Sequence, residues 1–438
     1  MAMPCVRFVR RPPTAGLLVL LALLVSFPPL LSRAAAQLPV PPSPAFSDKS
    51  LITDGSVYHD VGRLACNVTN FDLIGSKPLI PSTYSSAPSG LWPAPGGKNY
   101  LCRAYLWVGG VLSGETSVST EGELRSTEDP LDVIYEMAHG DPGGSRYPFP
   151  NPDDDADGRE DEDPRNGIDD DGDGLVDEDF AAISDQHFRL RMVDNTPEAQ
   201  AQFPDHRPLN VEVVQQSFQW AGAGLEDFIG FDFSVRNIGA TALEDVYIGF
   251  FADFDLPLEP GDYTDDLAGY QDGAIVLPDG DTMWAFVGYM HDDVASAPGP
   301  RLGVALLGHT TDPAGVTAPS TVRARAFRVY NDLFAYPAGM PRTDSQVYSA
   351  LSTAGRTANR DGPLGDYKFL LSVGPFTPLA PGAAVAFQVA LVAGADLEAM
   401  LQTAGVAKRA WLGRTFDRDG GPATGVDGKE YRVRWLPP

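Results

Sequence analysis

From Phe228 to Arg236 the chain alternates: Phe231, Phe233 and Val235 fall on one side, Asp232, Ser234 and Arg236 on the other. A period of two belongs to a strand with one face buried. Asn237-Ile238-Gly239 then supplies turn chemistry, and Leu243–Phe251 returns. Similar apolar runs span Leu209–Trp220, Met283–Tyr289, Leu302–Leu307, Val322–Tyr330, Phe369–Val373 and Val385–Val392. Eight such runs with tight turns and little helical periodicity predict an all-β fold, an antiparallel β-sandwich. Upstream, Tyr100–Val108 and Gly110–Val118 read as a hairpin turning at Gly109-Gly110. One helix is expected near the C-terminus: behind Asp396 as N-cap, Leu397, Met400, Leu401, Ala404, Ala407 and Trp411 recur at helical spacing, so it packs on the sandwich.

A second pattern interrupts the strands. Asp153–Asp163 (DDDADGREDED) and Asp169–Asp179 (DDDGDGLVDED) agree at eight of eleven positions. Both have the form D-x-D-x-D-G-x-x-D-x-D. Calcium takes six to eight oxygen ligands, and carboxylates at positions 1, 3 and 5 of a loop that turns on a glycine converge on one point. The side-chain ligands would be Asp153, Asp155, Asp157 and Asp161, then Asp169, Asp171, Asp173 and Asp177. Position 7, Leu175 in the second copy, offers its carbonyl, and Asp163 and Asp179 suggest ions shared between loops. Neither copy is an EF-hand, because position 12 holds Pro164 or Phe180 rather than Glu. A solvated acidic linker is the competing reading. Against it stand the paired Gly158 and Gly174, and fifteen carboxylates in this stretch facing only Arg159 and Arg165. Ca2+ is the one cofactor expected.

Residues 1–36 read as a signal peptide: Arg7, Arg10 and Arg11, the run Leu17–Val25, and Ala34-Ala35-Ala36 at the cut. The apolar run is too short to span a membrane, so the mature chain is expected outside the cell and uninserted. Losing Arg7, Arg10, Arg11 and Arg33 moves the formal charge from -27 to -31. Nucleic acid is a poor partner for such a surface. Cys66 and Cys102, the pair left after Cys5 departs, are expected to form a disulfide in an oxidising compartment; two buried thiols are the alternative.

The division that follows is 1–36 signal peptide, 37–50 proline-rich arm, 51–150 N-terminal β region and 151–180 calcium repeats. It continues with 181–394 β-sandwich, 395–412 packing helix and 413–438 tail. No sorting or anchoring element is expected from the residues of the tail.

The acidic repeats resemble the calcium-binding thrombospondin type 3 kind. FIGFDFSVRNIGATALEDVYIGFFADFD (Phe228–Asp255) and SVGPFTPLAPGAAVAFQVALVAGADLEAML (Ser372–Leu401) resemble immunoglobulin-like repeats of secreted bacterial proteins. Together with NVTNFDLIG, LWVGGVLSGE and NGIDDDGDGLVDEDF, they look like a group of uncharacterised exported bacterial proteins. The resemblance implies an immunoglobulin-like sandwich carrying the calcium segment, surface residence and no established activity.

Other chemistry is sparse. Asp253 and Asp255, then Asp262, Asp265, Asp266 and Asp272, form a second acidic group that could cap a strand end with calcium; a solvated loop explains it too. The six histidines show no H-E-x-x-H spacing, and no G-x-S-x-G elbow occurs, so no catalytic residue is assigned. His291-Asp292-Asp293 is the one compact His/Asp group. The leading expectation is an exported calcium-binding sandwich with a structural or interaction role at the bacterial surface, its partner an unidentified protein or glycan. The alternative is a glycan-binding module using Trp92, Trp107, Trp220 or Trp284, and a secreted hydrolase comes third.

Overall fold

The structure is a computed structural model that describes residues 56–75, 87–120, 122–125, 134–137, 184–222, 224–258, 264–292, 299–312, 324–358 and 362–412. The segments read as signal peptide, arm, calcium repeats and tail lie outside the described residues.

The first strands are β1 (Ser56–His59), β2 (Ala65–Thr69), β3 (Ile74–Gly75), β4 (Ser89–Leu91), β5 (Leu101–Leu112) and β6 (Glu115–Ser119). Then come β7 (Tyr135–Met137), β8 (Gln186–Val193), helix α1 (Pro197–Gln202), β9 (Val211–Gln219), β10 (Phe228–Asn237) and β11 (Glu244–Phe254). Next are β12 (Asp266–Val276), β13 (Thr282–Asp292), β14 (Arg301–His309), β15 (Ala324–Asn331), α2 (Asp344–Ser352) and β16 (Gly355–Arg356). The last elements are β17 (Tyr367–Phe376), β18 (Ala384–Gly394) and α3 (Leu397–Trp411).

They build two sheets whose pairings are antiparallel except β15 with β16. The ten-stranded sheet runs β1-β2-β3-β5-β11-β17-β15-β16, with β4 on β2 and β6 on β5; the eight-stranded sheet runs β12-β13-β14-β18-β10-β9-β8-β7. The all-β, antiparallel expectation is met at this level. The strand number exceeds the seven to nine of an immunoglobulin domain. Strands before and after the aspartate-rich segment share one sheet, since β5 pairs with β11 from Val111 to Leu101.

The alternating residues decide the packing. Phe231, Phe233 and Val235 point inward and meet Leu106, Val108 and Phe250 of the other sheet, with Phe250 6.3 Å from Phe231 and 6.1 Å from Phe233 between ring centres. Each outer sheet face carries its own smaller core under a helix: α3 on the eight-stranded sheet, α2 on the ten-stranded one.

Three local expectations are corrected. The first hairpin turns at Ser113-Gly114, where both residues have positive φ (55° and 84°), not at Gly109-Gly110. A two-residue loop of that kind matches the twist of the strands it joins. Gly109 instead sits inside β5, where a Cβ would come within 2.8 Å of the Leu351 side chain from α2. Besides α3, which begins behind Asp396 as expected, two further helices occur; both α1 and α2 are short and capped by a threonine, Thr196 and Thr343.

The Cys66–Cys102 bridge is absent: Cys66 is a free, buried thiol that burial pushes up to about 12. β3 and β4 line the edge of β2 that faces β5, and Cys66 itself lies opposite Ser89 of β4. Strands two places apart are about 10 Å from one another, beyond the roughly 7 Å a disulfide permits.

Candidate functional site

The clearest concentration of chemistry sits where β11 ends. Asp253 lies opposite Arg103 of β5 in register, and Arg103 Nε donates to Asp253 Oδ2 at 3.1 Å. Lys368, at the start of β17, pairs in register with Tyr330 of β15. Its ammonium lies 2.5 Å from Asp366 Oδ1, 3.2 Å from Asp332 Oδ2 and 3.7 Å from Asp253 Oδ1. Asp266 enters from the other sheet: it bridges to Gly365, and its Oδ1 accepts from Leu256 N at 3.2 Å. One oxygen from each of Asp253, Asp255 and Asp366 lies within 4.8 Å of the others.

The electrostatics follow from burial. Asp253, Asp255 and Asp266 are 1%, 3% and 0% exposed. Burial, reinforced by Asp253 and Asp366, holds the Asp255 carboxyl well above the ordinary range. Burial followed by Asp255 does the same to Asp266. Asp366 is also raised, burial outweighing the pull of Lys368. Burial alone would lower Lys368, but Asp253, Asp366 and Asp332 together hold it above its usual value. Asp253 Oδ1 and Asp266 Oδ2 are buried and make no hydrogen bond.

The second acidic group of the sequence is thus partly gathered here, through Asp253, Asp255, Asp266 and the adjacent Asp265, which acts on Asp266. Asp272 goes elsewhere, pairing with Arg356 at 2.5 Å, and Asp262 lies outside the described residues. Asp332 and Asp366 were not anticipated, although each adjoins a strand end, as Asp253 and Asp255 do. The repeat ligands Asp153, Asp155, Asp157, Asp161, Asp163, Asp169, Asp171, Asp173, Leu175, Asp177 and Asp179 all lie outside the described residues.

A cleft of about 690 Å³ adjoins this centre, formed by β15, the turn after it, and α2. The turn is built on Asn331, whose Oδ1 accepts from Leu333 N at 2.9 Å and whose N–H donates to Ala338 O at 2.9 Å. That folding presents Phe334, 53% exposed, and Tyr336 along one side of the cleft. Arg328, Ser349, Thr353 and Thr357 line it from β15, α2 and the segment beyond. Arg328 is steadied by donating to Thr353 O at 2.6 Å. Tyr330 also lines the cleft; it is 2% exposed and its hydroxyl makes no hydrogen bond. Burial pushes that phenol above its usual value.

Of the four tryptophans considered for sugar stacking, Trp92, Trp107 and Trp220 are buried and Trp284 is exposed. His59, His187, His206 and His309 are buried, and His291 sits beside Tyr289 with ring centres 6.1 Å apart. His139 and Asp293 lie outside the described residues.

No family model matches this chain, and no curated protein matches it. Among solved structures, a putative aldose 1-epimerase from Escherichia coli K12 is similar over 78% of this chain and 99% of its own, at 12% identity and a TM-score of 0.31. A galactose mutarotase related enzyme from Lactobacillus acidophilus covers the same shares at 9% identity and a TM-score of 0.29. Likeness at that level assigns no activity. Both are nevertheless named for carbohydrate enzymes and neither for a calcium-binding surface protein. The expected structural or interaction role as an exported calcium-binding surface protein finds no counterpart among these structures.

Proposed function

We propose that this chain binds carbohydrate, and that the cleft between β15 and α2 receives it. A sugar ring offers an apolar C–H face and a rim of hydroxyls, so its site needs aromatic surface beside a few fixed polar groups. Phe334 and Tyr336 supply the first; Arg328, Ser349, Thr353 and Thr357 supply the second. The observation that carries the reading is the exposed Phe334 ring set with Tyr336 in one cleft beside Arg328 and three hydroxyl side chains. Neutral sugars are favoured, because the neighbouring carboxylates repel anionic ones. Residues 1–36, read as a signal peptide, would place this binding outside the cell.

Calorimetric titration of neutral oligosaccharides selected on a glycan array tests it. Tyr336→Ala should weaken binding by about 10- to 100-fold, the loss typical of an aromatic anchor. Ser349→Ala should weaken it by about tenfold, one hydrogen bond. Trp284→Ala, on the other sheet, should leave affinity unchanged. Absence of any glycan hit, or loss of binding in Trp284→Ala alone, would overturn the assignment.

A further inference from the structure

We propose that the buried acidic centre at the end of β11 is a divalent-cation site of calcium size, with Asp253, Asp255 and Asp366 as its ligands. Six carboxylates meet there: Asp253, Asp255, Asp265, Asp266, Asp332 and Asp366. Arg103 and Lys368 are the cations that touch them. An excess of buried negative charge is costly unless it is neutralised. A solvated acidic patch would escape that cost, but Asp253 and Asp255 are nearly inaccessible.

A second observation points the same way. Asp266, outside the ligand triad and contributed by the opposite sheet, is fully buried with Oδ2 making no hydrogen bond. Asp255 acts on it electrostatically. The spacing also fits. Oxygens bound to one calcium at about 2.3–2.6 Å cannot lie more than roughly 5 Å apart, and the three ligand oxygens are already within 4.8 Å. An all-carboxylate donor set favours calcium over zinc, which prefers nitrogen and sulfur, and over magnesium, which is usually held by one or two carboxylates and keeps several waters. Lys368 must yield to the ion; Asp332, already 3.2 Å from its ammonium, can retain it. Protons are the rival neutraliser, since burial and mutual repulsion raise the affinity of Asp255 and Asp266 for them. The inference is independent of the sugar cleft.

Crystals of the full chain soaked in terbium, a calcium-sized ion, should show an anomalous peak within about 2.6 Å of the Asp253, Asp255 and Asp366 carboxylates. A calcium titration of thermal stability, at pH 7.5 and in a chain carrying Asp169→Ala and Asp171→Ala, removes ligands of the aspartate-rich stretch from the comparison. The calcium-induced rise in melting temperature should persist in that chain, and adding Asp366→Asn should weaken its apparent affinity by at least about tenfold. A crystal without a peak at the centre overturns the proposal, even if Asp366→Asn fails to fold. An undiminished calcium response in folded Asp366→Asn overturns it too. Stabilisation by acid but not by calcium would assign the centre to protons.

Discussion

The two outer sheet faces solve the same problem differently. Under α3, Met400, Ala404, Gly405, Ala407, Ala410 and Trp411 close onto Ile275, Leu277 and their neighbours, and small residues let the backbone approach. A Cβ on Gly405 would lie 2.8 Å from the Leu277 side chain and 3.0 Å from that of Ile275. Under α2, three residues, Val347, Ala350 and Leu351, are buried. Leu351 reaches over Gly109 and Gly249, while the other flank of the helix meets an aromatic turn and leaves the cleft open. Burial along fifteen residues seals a face; burial along nine seals half of one. The open half is where binding can occur, because a sealed face has spent its apolar surface on its own stability.

Truncating each helix's anchor gives the largest expected effect. Met400→Ala and Leu351→Ala should each cost about 2–5 kcal/mol, measured by chemical denaturation. Their consequences should then diverge: below the melting range, Met400→Ala leaves sugar affinity unchanged and Leu351→Ala weakens it. If both variants bind alike, the contrast between the faces is wrong.

Added methyls should give a smaller contrast. Gly249→Ala places a carbon 2.6 Å from Leu351 Cδ2 and 3.1 Å from the Leu371 carbonyl, so it should cost about 1–3 kcal/mol. Gly405→Ala also crowds its neighbours, but the nearest, Leu277 Cδ2 at 2.8 Å, ends a flexible side chain, and alanine regains about 1 kcal/mol of helix propensity. It should come out near neutral in the same denaturation assay.

The smallest effect is a control remote from both helices. His59 on β1 is fully buried, and burial, then His187, lowers it from 6.5 to about 3. The unfolded chain therefore takes up this proton first. The stability His59 contributes is present above pH 6.5 and is lost as pH falls toward 3. Between pH 6.5 and 5.5 the loss is about 1 kcal/mol. Replacing His59 with Gln should flatten that dependence, while the Met400→Ala and Leu351→Ala increments stay constant with pH. Increments that change would tie the helices to this histidine.

Local pattern made much of the scaffold readable. The alternation in Phe228–Val235 became β10, the Val385–Val392 run became β18, and the Asp396 cap with its apolar stripe became α3. Strand β12 was not foreseen, because DLAGYQDGAIV mixes glycine and charge through its length. Nor was α2, whose nine residues carry too short a stripe to register. Of the acidic centre, Asp253 and Asp255 were visible as a pair at a strand end. Arg103, 150 positions from Asp253, and Asp366 and Lys368 could not be joined to them.

The sequence by itself determined most of the long strands, which side of Phe228–Val235 is apolar, where α3 starts, and that the chain is strongly acidic. Those properties depend on neighbours within a few residues, where period, cap and charge act directly. Tertiary structure alone decided that Cys66 lies opposite β4 rather than the strand of Cys102, that Asp266 crosses from one sheet toward the carboxylates of the other, and that α2 leaves a cleft beside Tyr330. The physical reason is that strand order and register are settled by contacts between distant segments. No local periodicity records which strand will lie beside which.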